Sequence, residues 1–203
     1  MLSGNCLDIL RPMSTKFILH GGFTRKDNEQ NRSFFRELVK DVEDGGIVLM
    51  VFFASREDDP AGTFVEMKER IAAESGGKEL RFVYAMPEEF MTQLEAASAV
   101  YLHGGSTNKL LRILRTYPEL VSLLDGKTVA GSSAGAYAIA KWGSSHSEDT
   151  MREGLGLVPL RVVCHYESLE LPPAAGATKL LTENFPELEL VMLKDCEWKV
   201  FVF

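Results

Sequence analysis

The chain has 203 residues, 45% of them hydrophobic, and its 22 Lys and Arg against 29 Asp and Glu leave a net charge of −7. That is enough apolar content for one domain with a sizeable core; the scattered basic residues disfavour a nucleic-acid partner, and with no run of about 18 apolar residues nothing is expected to span a membrane. Three cysteines, Cys6, Cys164 and Cys196, have neither metal-type nor redox-type spacing and are odd in number, so the expectation is a reducing cytoplasm, with no metal and no other cofactor.

The first residues lack the charged, apolar and small-residue succession of a secretory signal. Met13 followed by Ser-Thr-Lys-Phe-Ile-Leu reads as a fresh start before a strand, so residues 1–12 are expected to be a flexible N-terminal extension and 13–203 one domain. Lys16 to His20 is a short apolar strand ending in Gly21-Gly22. Asn31 to Val42 then sets Phe34, Phe35, Leu38, Val39 and Val42 on one helical face, stopped by Gly45-Gly46. Ile47 to Ala54 is almost wholly apolar, as a strand covered on both faces should be.

Beyond a loop holding Asp58, Asp59 and Pro60, helical spacing of Phe64, Met67 and Ile71 predicts a helix over 64–73. Leu80 to Ala85 reads as a strand and Pro87 to Ala96 as a helix. Ala99 to Leu102 is a fourth strand, running into His103-Gly104-Gly105-Ser106-Thr107-Asn108 and a helix to about Leu114. Thr128 to Gly131 and Leu157 to Cys164 are further strands. The alternation predicts an α/β fold, a mostly parallel sheet covered by helices. In such sheets ligands bind at the carboxyl ends of the strands, where Gly21-Gly22, Gly104-Gly105, Gly131 to Gly135 and His165 would gather.

Gly131-Ser132-Ser133-Ala134-Gly135 is a G-x-S-x-G between a strand and a helix-like segment. A turn that sharp pushes the central side chain out of the backbone and needs tiny neighbours, so Ser133 is the candidate nucleophile. The Ala134 amide then stands at a helix N-terminus, where it can meet an oxyanion, and the amide of Gly105 is a second candidate donor. A serine hydroxyl needs a base. Of the four histidines, His165 ends a strand expected to lie parallel beside the elbow strand, and His103 is its rival; His20 and His146 read as strand-end and loop residues. For the acid that orients the base, Glu148 and Asp149 lie between the elbow and His165, and Asp195 lies in a late turn.

The elbow hexapeptide 131–136, the strand end Leu-His-Gly-Gly-Ser-Thr-Asn-Lys-Leu-Leu at 102–111, and the Gly-Leu-Gly-Leu-Val-Pro-Leu strand leading to Cys164-His165-Tyr166 resemble the peptidase E and cyanophycinase family of serine peptidases. The resemblance spans roughly residues 16–203. It implies a three-layer sandwich similar to class I glutamine amidotransferases, a peptidase-E-like domain over 13–203, Ser133 as nucleophile, His165 as base and the Gly105 and Ala134 amides as oxyanion hole; Glu148 aligns first as the acid. It implies a short peptide or amide as substrate, as for a dipeptidase, and leaves a homodimer open. His103 and Ser106 replace a glycine and an asparagine of the family loop. The family's arginine after the histidine has no counterpart in 176–181, where Lys179 is the cation, so a preference for aspartyl peptides is not carried over. An esterase of the α/β-hydrolase type and an inactive amidotransferase-like binding module are the alternatives.

Overall fold

Alternate side chains of the central strands enter two different cores, and that alternation builds the layers. In the computed structural model, which describes residues 14–145 and 149–203, β1 (Lys16–His20), β2 (Ile47–Val51), β3 (Arg81–Tyr84), β4 (Ala99–Leu102) and β5 (Thr128–Ser132) run parallel. With β10 (Trp198–Val202) antiparallel on the outside, they form one sheet in the order β10-β1-β5-β4-β2-β3. Ile18, Val48, Met50, Tyr101 and Ala130 face α1 (Glu29–Val39) and α2 (Pro60–Ala73), packing on Phe34, Phe35, Leu38, Met67 and Ile71. Leu19, Leu49, Val51, Val100, Leu102 and Val129 face the opposite core.

That second core is closed by α3 (Phe90–Ala96), α4 (Thr107–Leu114), α5 (Leu120–Leu123) and α6 (Ala134–Ile139), and by a second sheet. The second sheet has β6 (Ala140–Ser145), β7 (Thr150–Glu153), β8 (Val158–Val163) and β9 (Glu189–Met192) in the order β7-β6-β8-β9; α7 (Ala175–Glu183) connects β8 to β9. Val158, Leu160 and Val162 alternate into the shared core. The α/β three-layer expectation therefore holds, with the class I glutamine amidotransferase-like arrangement of a mostly parallel sheet between helices.

The strand carrying His165 does not pair with β5, whose neighbours are β1 and β4. It lies in the second sheet because α6 has only six residues and passes directly into β6, so the crossover from β6 returns to β6's own edge. The end of β8 still reaches the main sheet's carboxyl edge, where His165 N–H donates to Gly21 O at 3.0 Å. The strand from Ile47 ends at Val51, three residues early: the chain turns away and Ala54 O accepts from Ser106 N–H at 2.7 Å. The expected extension 1–12, Cys6, His146 and Glu148 lie outside the described residues. No helix among the described residues is long and apolar enough to cross a membrane.

Candidate functional site

Strand β5 is buried along its whole length and ends in the elbow. Ser133 has φ 49° and ψ −104°, a conformation that an L side chain adopts only when its surroundings hold it there. Close packing supplies that hold: a Cβ on Gly131 would stand 2.3 Å from Gly135 C, and one on Gly135 would stand 2.2 Å from Leu102 O. Both positions must be glycine for α6 to start against β4 and β5 at this distance. Ser133 N–H donates to His20 O at 2.9 Å, fixing the turn to the end of β1.

Ser133 Oγ lies 3.1 Å from His165 Nε2, and His165 Nδ1 lies 2.8 Å from Asp195 Oδ1. A carboxylate only accepts, so Nδ1 carries the proton and donates to Asp195; in the neutral ring Nε2 then presents its lone pair to the Ser133 hydroxyl. Ser168 Oγ donates to the other Asp195 oxygen at 2.7 Å and so orients the carboxylate. The His165 side chain is 8% exposed and that of Asp195 18%, so the chain of bonds runs just beneath the surface. The Phe23 ring meets His165 edge to face at 5.0 Å.

Two side chains that support this arrangement were not singled out from sequence. Tyr137, one helical turn after Ser133, accepts from Cys164 N–H at 3.0 Å and shares a 2.8 Å hydrogen bond with Ser144, tying the end of β8 to the elbow helix. Burial holds its phenol protonated. The second is His20, fully buried, which organises the loop after β1. Its position at a strand end was legible, but not its partners. Burial also raises the Cys164 thiol well above its ordinary pKa, so this cysteine beside the elbow is no thiolate at neutral pH.

The remaining candidates stand as follows. His103 is half-buried, stacked on Phe52 at 4.8 Å, and its Nδ1 lies 3.1 Å from Gly104 O. Burial lowers its pKa, and it lines the cleft without joining the Ser133 chain. Gly104 lies beside the elbow, where a Cβ would be 3.6 Å from Ser133 Cβ, and Gly104 and Gly105 line the same cleft as Ser133. Asp149 is occupied elsewhere: its oxygens accept from Gly176 and Ala177 N–H at 3.1 and 2.9 Å, capping α7. Lys179 is exposed and pairs with Glu183.

A cleft of about 380 Å³ opens over Ser133 and His165, within the size range of small-ligand sites. Arg25, Arg56 and Arg152 reach its lining from three different segments. Arg25 is paired with Glu57 and Glu66, whereas Arg56 is exposed on the loop after β2. All three precede His165 in the chain, whereas the resemblance places the family's arginine after the histidine.

The chain is similar to known peptidases over almost its whole length. The model of peptidase family S51 matches residues 17–201. A solved peptidase from an acI-B1 Actinobacterium superposes with a TM-score of 0.65 at 19% identity, covering 94% of this chain and 85% of its own. A "putative peptidase E protein" from Listeria monocytogenes EGD-e gives 0.66 at 18% identity, covering 94% of this chain and 98% of its own. No curated protein matches the chain by sequence.

Proposed function

The chain belongs to peptidase family S51 and is a serine-type peptidase; from that premise we propose that it cleaves short peptides, as a dipeptidase does, through Ser133, His165 and Asp195. The observation that carries the reading is the unbroken chain from Ser133 Oγ through His165 to Asp195, at 3.1 and 2.8 Å. Ser133 Oγ attacks the carbonyl carbon while its proton passes to His165 Nε2. Asp195 stabilises the imidazolium that forms and keeps the ring in its useful tautomer. The amides of Ala134 and Gly105 donate to the oxyanion. The tetrahedral species then collapses, the amine leaves with the proton from His165, and water repeats the sequence on the acyl group.

The cleft's guanidinium groups favour peptides that bring a carboxylate near the scissile bond, because arginine meets a carboxylate through two parallel hydrogen bonds. Arg56 is the side chain best placed for this, being exposed at the cleft. A dipeptide panel varied at both positions tests the substrate class. Turnover of dipeptides, with kcat/KM falling for neutral ones and further in Arg56→Ala, is expected. Turnover of simple esters alone would contradict the peptidase reading.

A further inference from the structure

We infer that His20, which touches neither the cleft nor the reacting atoms, is the positioning residue that locks the loop on which Ser133, His165 and Asp195 are all set. This rests on the hydrolase reading above. Three successive carbonyls, starting at the last residue of β1, each hold one segment of the site. His20 O accepts from Ser133 N–H at 2.9 Å, Gly21 O from His165 N–H at 3.0 Å, and Gly22 O from Cys196 N–H, next to Asp195, at 3.0 Å. The three reacting groups come from distant parts of the chain, so this short loop is their common reference.

The loop has a demanding backbone, with φ 118° at Gly22 and 60° at Phe23. The His20 side chain spans it from beneath. Its Nδ1 accepts from Gly22 N–H at 3.0 Å, so its proton is on Nε2, which donates to Asn31 Oδ1 at 2.8 Å. Asn31 in turn donates to Phe23 O and Lys26 O at 2.9 and 2.7 Å, and its own N–H is held by Asn28. Phe34 packs on the ring at 4.5 Å between centroids. A neutral imidazole with an acceptor on one side and a donor on the other satisfies every partner; a second proton, on Nδ1, would face the Gly22 N–H. The ring is completely buried, so its effect on chemistry must pass through the loop.

Substitutions separate the two halves of the lock. His20→Asn keeps an acceptor near the Nδ1 position, His20→Gln keeps a donor near Nε2, and His20→Leu keeps neither. The readouts are the rate at which a fluorophosphonate labels Ser133, kcat and KM on a dipeptide, cooperative thermal unfolding, and the NMR signal of the His165 Nδ1 proton. Folded His20→Leu is expected to label about 10- to 100-fold more slowly with KM little changed, because small displacements of reacting groups cost this much. His20→Asn is expected to recover most of the rate. A folded His20→Leu at the wild-type rate, or His20→Asn no faster than His20→Leu, would overturn the inference.

If His20→Leu does not fold, His20→Gln should be slow and His20→Asn fast; equal rates overturn it. If the wild-type protein itself does not label, the hydrolase reading fails and the proton signal decides the lock alone. A signal displaced in His20→Gln and kept in His20→Asn supports the lock; one unchanged in both refutes it.

Discussion

The backbone of Gly22 lies directly beneath the imidazole of His165: a Cβ at residue 22 would stand 2.0 Å from His165 Cε1 and 2.4 Å from Nε2. The ring that stands 3.1 Å from the Ser133 hydroxyl therefore rests on a surface that only glycine can offer. The Phe23 ring meets it edge to face, and Gly21 O holds its backbone.

Gly22→Ala should displace the His165 ring and lower labelling of Ser133 by about 100-fold. The same change places a side chain at φ 118° and should cost about 1–3 kcal/mol in urea unfolding. A Gly22→Ala protein that labels at the wild-type rate would show that the ring has room the packing denies it.

Asp195 and Asp149 are separated by paired substitutions. Asp195→Asn removes the carboxylate that fixes the His165 tautomer and should lower kcat by about 10²- to 10⁴-fold. Asp149→Ala removes the α7 cap, costing about 1 kcal/mol of stability with kcat/KM unchanged within about threefold. Reversal of these two outcomes would move the acid away from Asp195.

Much of this arrangement is legible in residue order, for physical reasons. Parallel strands buried on both faces leave near-continuous apolar runs, so β1, β2, β4 and β5 are readable with their carboxyl-end loops. The elbow is readable because Gly131 and Gly135 are demanded by contacts to their neighbours. Most of the second sheet is not: α6 is too short to announce a crossover, and β6, β7 and β9 are only partly buried, without the continuous apolar run of a covered strand. The partner of His165 is not legible either: the resemblance puts Glu148 first, ahead of Asp149 and Asp195, because Asp195 is brought back to His165 only by the turn between β9 and β10. Tyr137 could have been found from its spacing, one helical turn from Ser133 and buried on the same short helix.

The elbow's backbone predicts a reversal of the usual glycine penalty. Ser133 at φ 49° carries strain that alanine would keep and glycine would release. Ser133→Gly should therefore be more stable than Ser133→Ala by about 1 kcal/mol, although both are inactive. Calorimetry on the two proteins checks this; a less stable glycine variant would mean that the turn is unstrained.

Stability should fall on mild acidification because of His20. Burial, the largest cause, lowers its pKa from 6.5 to about 4, opposed by the Asn31 hydrogen bond; His165 lowers it further and Asp195 raises it. Between these values the unfolded chain binds a proton that the folded protein does not, so stability rises with pH across this window and is lost as pH falls from 6.5 toward 4. The full effect is roughly 3 kcal/mol. Urea unfolding at pH 4.5 and 7 should show a smaller difference in His20→Asn than in the wild type; equal differences would place the titration elsewhere.

The central claim is that Ser133, activated by His165, is the nucleophile. Its most direct measurement is labelling of the folded protein by a fluorophosphonate at neutral pH, with the modified peptide mapped by mass spectrometry. Label on Ser133, lost in His165→Ala and kept in His103→Ala, is the predicted result. A folded wild-type protein that stays unlabelled, or a His165→Ala protein that labels at the wild-type rate, would contradict it.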